Sequence, residues 1–212
     1  MINLRTSLTV LTPPSTLLQT VAMVKKQLRI IDEDTDTELL TEYVKGAVEF
    51  IETQTAHVFH ETEYIFTIDR WPYQAVAGYA PAPSAPTNGV IELPRAPLMS
   101  VEQIQYIDTN GTLTTLDESQ YIVDTLCRPG RVWPKRYQYW PITDPMSPNA
   151  VQITFKAGYS DAELIPFRAN QAVRFLVAHW NENRFPIDVA KMEIPKGLNS
   201  MIRSLKIKVY NV

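Results

Sequence analysis

The chain has 212 residues and a mass of 24.2 kDa, enough to bury a real core as one domain or two small ones. Its composition is that of an ordinary globular protein, and its formal net charge of −3 argues against a dedicated nucleic-acid binder, which would carry a strong basic excess. The single Cys127 excludes an intrachain disulfide and a cysteine-pair zinc site, and the expected place of synthesis is a reducing cytoplasm.

The charge is unevenly spread. Leu17 to Glu61 holds four cations and nine anions, a net of −5, whereas Val189 to Val212 holds five cations and one anion, a net of +4. Such asymmetry suits complementary docking between copies or partners, and it equally suits plain solubility. Trp71 to Ile91 is uncharged and long enough to cross a bilayer, but Pro72, Pro81, Pro83 and Pro86 exclude a continuous helix there. The N-terminus has no positively charged start followed by an apolar run, so no signal peptide and no membrane role are expected.

In chain order, residues 1–15 read as an extended arm ending in Pro13-Pro14. Thr16 or Thr20 can cap a first helix in which Val21, Val24 and Leu28 share a face. The acidic run Asp32-Glu33-Asp34 leads into a second helix, capped by Asp34 or Asp36, with Leu39, Leu40, Tyr43, Val44, Ala47, Val48 and Ile51 on its apolar stripe. It should end near Thr55. From Glu61 the apolar period drops to two, predicting a strand through Tyr64, Phe66 and Ile68. Residues 72–89, rich in Pro and Ala, read as a projecting loop. Strand signals resume at Val90 to Leu93 and Val101 to Ile107, and Asn110-Gly111 is a strong hairpin signal because both residues tolerate positive φ. Short strands are also expected at Gln120 to Asp124, Gly130 to Trp133 and Ala150 to Lys156.

The longest unbroken helical period follows, with Ile165, Ala169, Ala172, Val173, Leu176, Val177 and Trp180 on one stripe. Pro166 suits the first turn, and Phe185-Pro186 stops the helix. A last amphipathic segment places Leu198, Met201, Ile202 and Leu205 together, and the tail from Lys206 to Tyr210 could be helical or extended. The expected class is α+β. Residues 1–60 form an arm and helical pair, 61–158 an antiparallel β insertion, and 159–212 a long helix and amphipathic tail packing with 16–60.

Catalytic patterns are mostly missing. There is no glycine-rich dinucleotide or phosphate loop. Gly158-Tyr-Ser160 lacks the second glycine of a nucleophile elbow, and Ser160 reads as a turn or capping residue, with Glu163 three positions on able to complete a capping box. His57 and His60, followed by Glu61, invite a small metal-dependent hydrolase, but no third ligand is evident and a solvated helix end is the plainer reading. His179 reads as an interface or core residue. The run from Arg128 to Trp140 mixes cations with rings, which can grip single-stranded nucleic acid, yet its three prolines make an irregular loop that serves protein contacts as well. No metal or cofactor is called for.

The order of features carries more than any single motif. A helical pair is followed by Leu93-Pro-Arg-Ala-Pro-Leu98, Val101-x-x-Ile-x-Tyr106-x-Asp108-x-x-Gly111, Lys156-Ala-Gly-Tyr159 and Val177-Ala-His-Trp-Asn-Glu-Asn-Arg184. This order resembles the head-tail connector (adaptor) family of long-tailed bacteriophages over residues 11–205. The resemblance implies a non-enzymatic virion protein, made in the host bacterial cytoplasm and working in the neck between capsid and tail. Its partners would be further copies in a ring, typically of twelve, the portal protein, and a neck, stopper or tail-completion protein, with DNA passing through the channel without specific binding. Trp180 would anchor the fold, and Asn183, Arg184, Lys206, Lys208 and Tyr210 would meet neighbours.

Overall fold

The computed structural model describes residues 5–12, 18, 21–29, 37–72, 89–183 and 194–207. These fall into two compact units. One comprises 5–12 with the described parts of 61–158, and the other 18–60 and 159–207 in their described parts. The proposed caps Thr16, Thr20, Asp34 and Asp36, the stop at Phe185-Pro186 and most of the Pro/Ala-rich segment lie outside the described residues.

The first unit is built on an antiparallel sheet in the order β1-β2-β8-β4-β5, from β1 (Thr6–Thr12), β2 (Thr62–Ile68), β4 (Leu98–Ile107), β5 (Leu113–Thr115) and β8 (Val151–Ala157). A three-stranded sheet sits in the same unit, ordered β3-β7-β6, from β3 (Ile91–Glu92), β6 (Tyr121–Asp124) and β7 (Arg131–Pro134). The period of two works as expected. Tyr64, Phe66 and Ile68 of β2 face inward beside their β8 partners Phe155, Ile153 and Val151, and all six are buried. The Tyr64 and Phe155 rings stack at 5.5 Å, and such cross-strand pairs are the unit of sheet stability.

Several expectations change here. The N-terminal arm is extended but is not apart from the sheet: Thr6 to Thr12 pair with β2 and form its edge, so this stretch groups with the β unit. At the hairpin, only Gly111 adopts positive φ (78°), because the loop spans Asp108 to Thr112 instead of two residues. The Asp108 carboxylate accepts N–H groups from Asn110 at 2.8 Å and Thr112 at 2.9 Å, and these bonds hold its pKa below the usual carboxylate range. The strand expected at Gly130 to Trp133 forms as β7, so only the rest of the run after Arg128 is irregular.

The second unit contains α1 (Val21–Leu28), α2 (Thr37–Thr55), α3 (Phe167–Glu182) and α4 (Lys196–Leu205). Their stripes meet in one core: Val24, then Leu40, Val44, Ala47 and Ile51, then Ala169, Ala172, Val173, Leu176 and Val177, then Leu198, Ile202 and Leu205. Full burial of each larger side chain contributes roughly 1.5–3 kcal/mol, while the alanines let the helix axes approach. Ile165 is extended at φ −68° and ψ 131°, and Pro166 stands just before the helix, as a residue preceding proline and a proline at a helix start should. The cap of the short turn Ala162–Leu164 is Asp161, whose side chain accepts the Glu163 N–H at 3.0 Å, and not Ser160. An aspartate one position nearer the turn has the better reach.

Candidate interface

In the helical unit, the end of α3 is the stretch that the sequence marks most strongly. Trp180 lies half-buried against α2, with its ring edge-on to Tyr43 at 6.3 Å and Phe50 at 6.5 Å. Gly46 lies one turn from each, leaving room for the indole. Trp180 therefore ties α3 to α2. Asn183 closes the helix: its backbone N–H and its Nδ2 both donate to the His179 carbonyl, at 3.1 and 2.9 Å. His179 borders a groove of about 480 Å³ with Phe175, Glu182, Leu198 and Met201. Across the unit, Lys206 is exposed at the rim of a second groove of about 380 Å³, with Phe50, Asn199, Ile202 and Arg203. Of the expected interface set, Asn183 and Lys206 are thus placed, whereas Arg184, Lys208 and Tyr210 lie outside the described residues.

The two-histidine site is not brought together. His57 is buried rather than solvated, stacked between Phe59 at 5.4 Å and Tyr159 at 5.7 Å. Its Nδ1 faces the Leu205 carbonyl at 3.5 Å, and its Nε2 lies 2.8 Å from the Tyr159 hydroxyl. Because a carbonyl only accepts, Nδ1 carries the proton and Nε2 accepts from Tyr159. Both ring nitrogens are therefore engaged, Nδ1 with the end of α4 and Nε2 with Tyr159. Ile207 adds a bond from its N–H to the Thr55 carbonyl at 2.9 Å. Burial pushes the His60 pKa down. Among the described residues, no group of three or more His, Cys, Asp or Glu could hold a metal ion.

The aromatic and basic run is also divided by the fold. Trp140 stacks on the buried Trp71 with centroids 4.4 Å apart and planes at 3°, and its Nε1–H donates to the Gly89 carbonyl at 2.6 Å. Arg131 binds Asp124 at 2.7 Å and lies over Trp133 at 5.7 Å. Tyr137 and Tyr139 remain, 81% and 84% exposed, with Arg136 over Tyr137. Two open rings make a poorer stacking platform than the sequence run suggests. Near them in sequence, Leu126, Ile142 and Met146 are also exposed, and loops rich in exposed apolar side chains mark protein contacts.

Solved structures with the same architecture include chains of gene transfer agent particles. "Neck of empty GTA particle computed with C6 symmetry" contains a chain matching at a TM-score of 0.73 and 20% identity, with 96% of this chain and 97% of that one covered. This chain shares its fold with a chain from the neck of a gene transfer agent particle. "Neck of native GTA particle computed with C12 symmetry" matches at a TM-score of 0.69 and 21% identity over 96% and 97% of the two chains. "Virion of native gene transfer agent (GTA) particle" matches at 0.71 and 19% identity, over 96% of each. No family model and no curated protein matches the sequence. The likeness spans both units, so the α+β plan with its antiparallel insertion is shared from end to end. Among the described residues, no helix is long and apolar enough to cross a membrane.

Proposed function

We propose that this chain is a structural protein of a virion neck: a head-tail connector of the bacteriophage adaptor family that forms a ring beneath the portal, extends the DNA channel and joins capsid to tail. The observation that carries this reading is the end-to-end fold match to chains of particle necks computed with cyclic symmetry. A ring of twelve contains six-fold symmetry, so both reconstructions suit twelve copies. A closed ring needs heterologous contacts, in which one face of each subunit fits a different face of the next. The uneven charge and the exposed loop apolars supply unlike faces of that kind.

The role is non-enzymatic, and the chain needs no cofactor. A channel wall that lets DNA slide should hold phosphates weakly, which agrees with a net charge of −3. We infer that Asn183, Arg184, Lys206, Lys208 and Tyr210 meet neighbours, and that Trp180 serves as a packing anchor. The portal and a neck, stopper or tail-completion protein are the expected partners. Native mass spectrometry of the chain mixed with its portal protein tests the reading: a defined multimer bound to the portal supports it, and failure to bind under any condition counts against it. Neither alternative gains support. His57 is committed to Tyr159 and Leu205, and Trp140 is covered by Trp71.

A further inference from the structure

Helices α2 and α4 carry opposite charge on their outer sides. On α2, Glu38, Glu42 and Glu49 are exposed and recur at steps of four and seven, on the side away from the buried Leu40, Val44, Ala47 and Ile51. Lys45 is the one cation among them. On α4, which contains no acid, Lys196 and Arg203 are exposed a step of seven apart, and Lys206 follows directly after the helix. Among the described residues, none of these six flanking charges makes an ion pair with another. Arg203 and Lys206 also border the groove of about 380 Å³, together with Phe50, Gln54 and Asn199.

We propose that the basic row of α4 in one copy docks on the acidic row of α2 in the next copy around the ring. This rests on the ring reading above and adds the two surfaces that meet. A second copy is the favoured occupant because the complementary surface is present in the same chain, on a different helix and facing away from the shared core. Two different surfaces of one chain meeting head to tail make a heterologous contact, the kind a closed ring is built from. Single exposed ion pairs contribute little, but a row of them steers encounter and fixes register, and like charges brought together are strongly disfavoured.

The experiment uses two variants, Glu42→Lys with Glu49→Lys, and Arg203→Glu with Lys206→Glu, each assembled with the portal and followed by native mass spectrometry and sedimentation. Circular dichroism confirms folding, and the milder Glu42→Gln with Glu49→Gln and Arg203→Gln with Lys206→Gln serve if a reversal unfolds the chain. Each reversed chain alone should need about tenfold or more protein to form rings. Mixed together they should assemble again, in rings that alternate the two chains, because every α4 then meets an α2 of opposite sign. Wild-type rings should also weaken as salt shortens the Debye length to about 3 Å near 1 M. Either reversal assembling like wild type, or a folded mixture that shows no recovery, overturns the inference and leaves the ring reading standing. Loss of portal binding in the α4 variant alone, without recovery in the mixture, assigns the basic row to the portal and also overturns it. A wild-type chain that forms no ring overturns the ring reading itself, and this inference with it.

Discussion

The two units hold themselves together differently, and their surfaces differ to match. The sheet unit is packed with large rings and branched side chains, Tyr64, Phe66, Trp71, Ile104, Ile153 and Phe155, in cross-strand pairs and one indole stack. Of its open apolar groups, Leu126, Tyr137, Tyr139 and Met146 lie in loops, while Val10, Leu11, Leu113 and Ile122 lie on strands. The helical unit uses small residues, Ala47, Ala169 and Ala172, to bring helices close, and turns charged rows outward. Contacts made by the first surface should resist salt, and contacts made by the second should not.

The comparison can be broken most forcefully inside each core. Trp71→Ala removes the buried half of the indole stack and should cost about 3–5 kcal/mol. Leu176→Ala opens the fully buried helical core and should cost about 2–5 kcal/mol. Urea unfolding, read by near-ultraviolet dichroism for the sheet and far-ultraviolet dichroism for the helices, checks both. A loss below 1 kcal/mol in either would show that side chain to be misplaced.

Two glycines sharpen the contrast at smaller magnitude and with opposite sign. A Cβ at Gly130 would strike the Leu98 side chain, so Gly130→Ala should destabilise the sheet unit by about 1–3 kcal/mol. A Cβ at Gly46 would meet the Trp180 ring at an ordinary 3.5 Å, so Gly46→Ala should stabilise α2 by about 0.5–1 kcal/mol through helix propensity. Thermal unfolding of the two variants should move in opposite directions.

The smallest effect is a pH dependence. The Arg131 guanidinium, first, and then the Cys127 thiol and nearby N–H groups hold the Asp124 carboxyl well below the usual carboxylate range. A carboxylate depressed in the folded state contributes stability that is present above its unfolded value, near 3.9, and is lost as pH falls toward the folded one. Asp124→Asn should therefore flatten the loss of stability below about pH 4 and leave the slope at neutral pH unchanged. Acid unfolding of the two proteins side by side measures it.

Much of this architecture was legible in the chain itself. The α3 stripe from Ile165 to Val177 is buried as its spacing predicts, and the alternation in β2 reads directly as one buried face. What escaped has physical reasons. Strand β1 has one half-buried residue among seven, because an edge strand wet on both faces carries no alternating signal, and its pairing with β2 is visible only in space. His57 depends on Tyr159, 102 residues away, and Trp71 on Trp140, 69 positions on. No local pattern announces such contacts. At the α3 end, the sequence singled out Asn183, but its role as a cap on His179 emerges only from the helix geometry.

The central claim is a ring of this chain in a virion neck. Electron microscopy of the chain assembled on its portal protein tests it most directly. The account predicts a closed ring, twelve copies on the portal axis, with the α4 face of each copy against the α2 face of the next. Monomers scattered on the portal, an open filament, or no binding at all would contradict it.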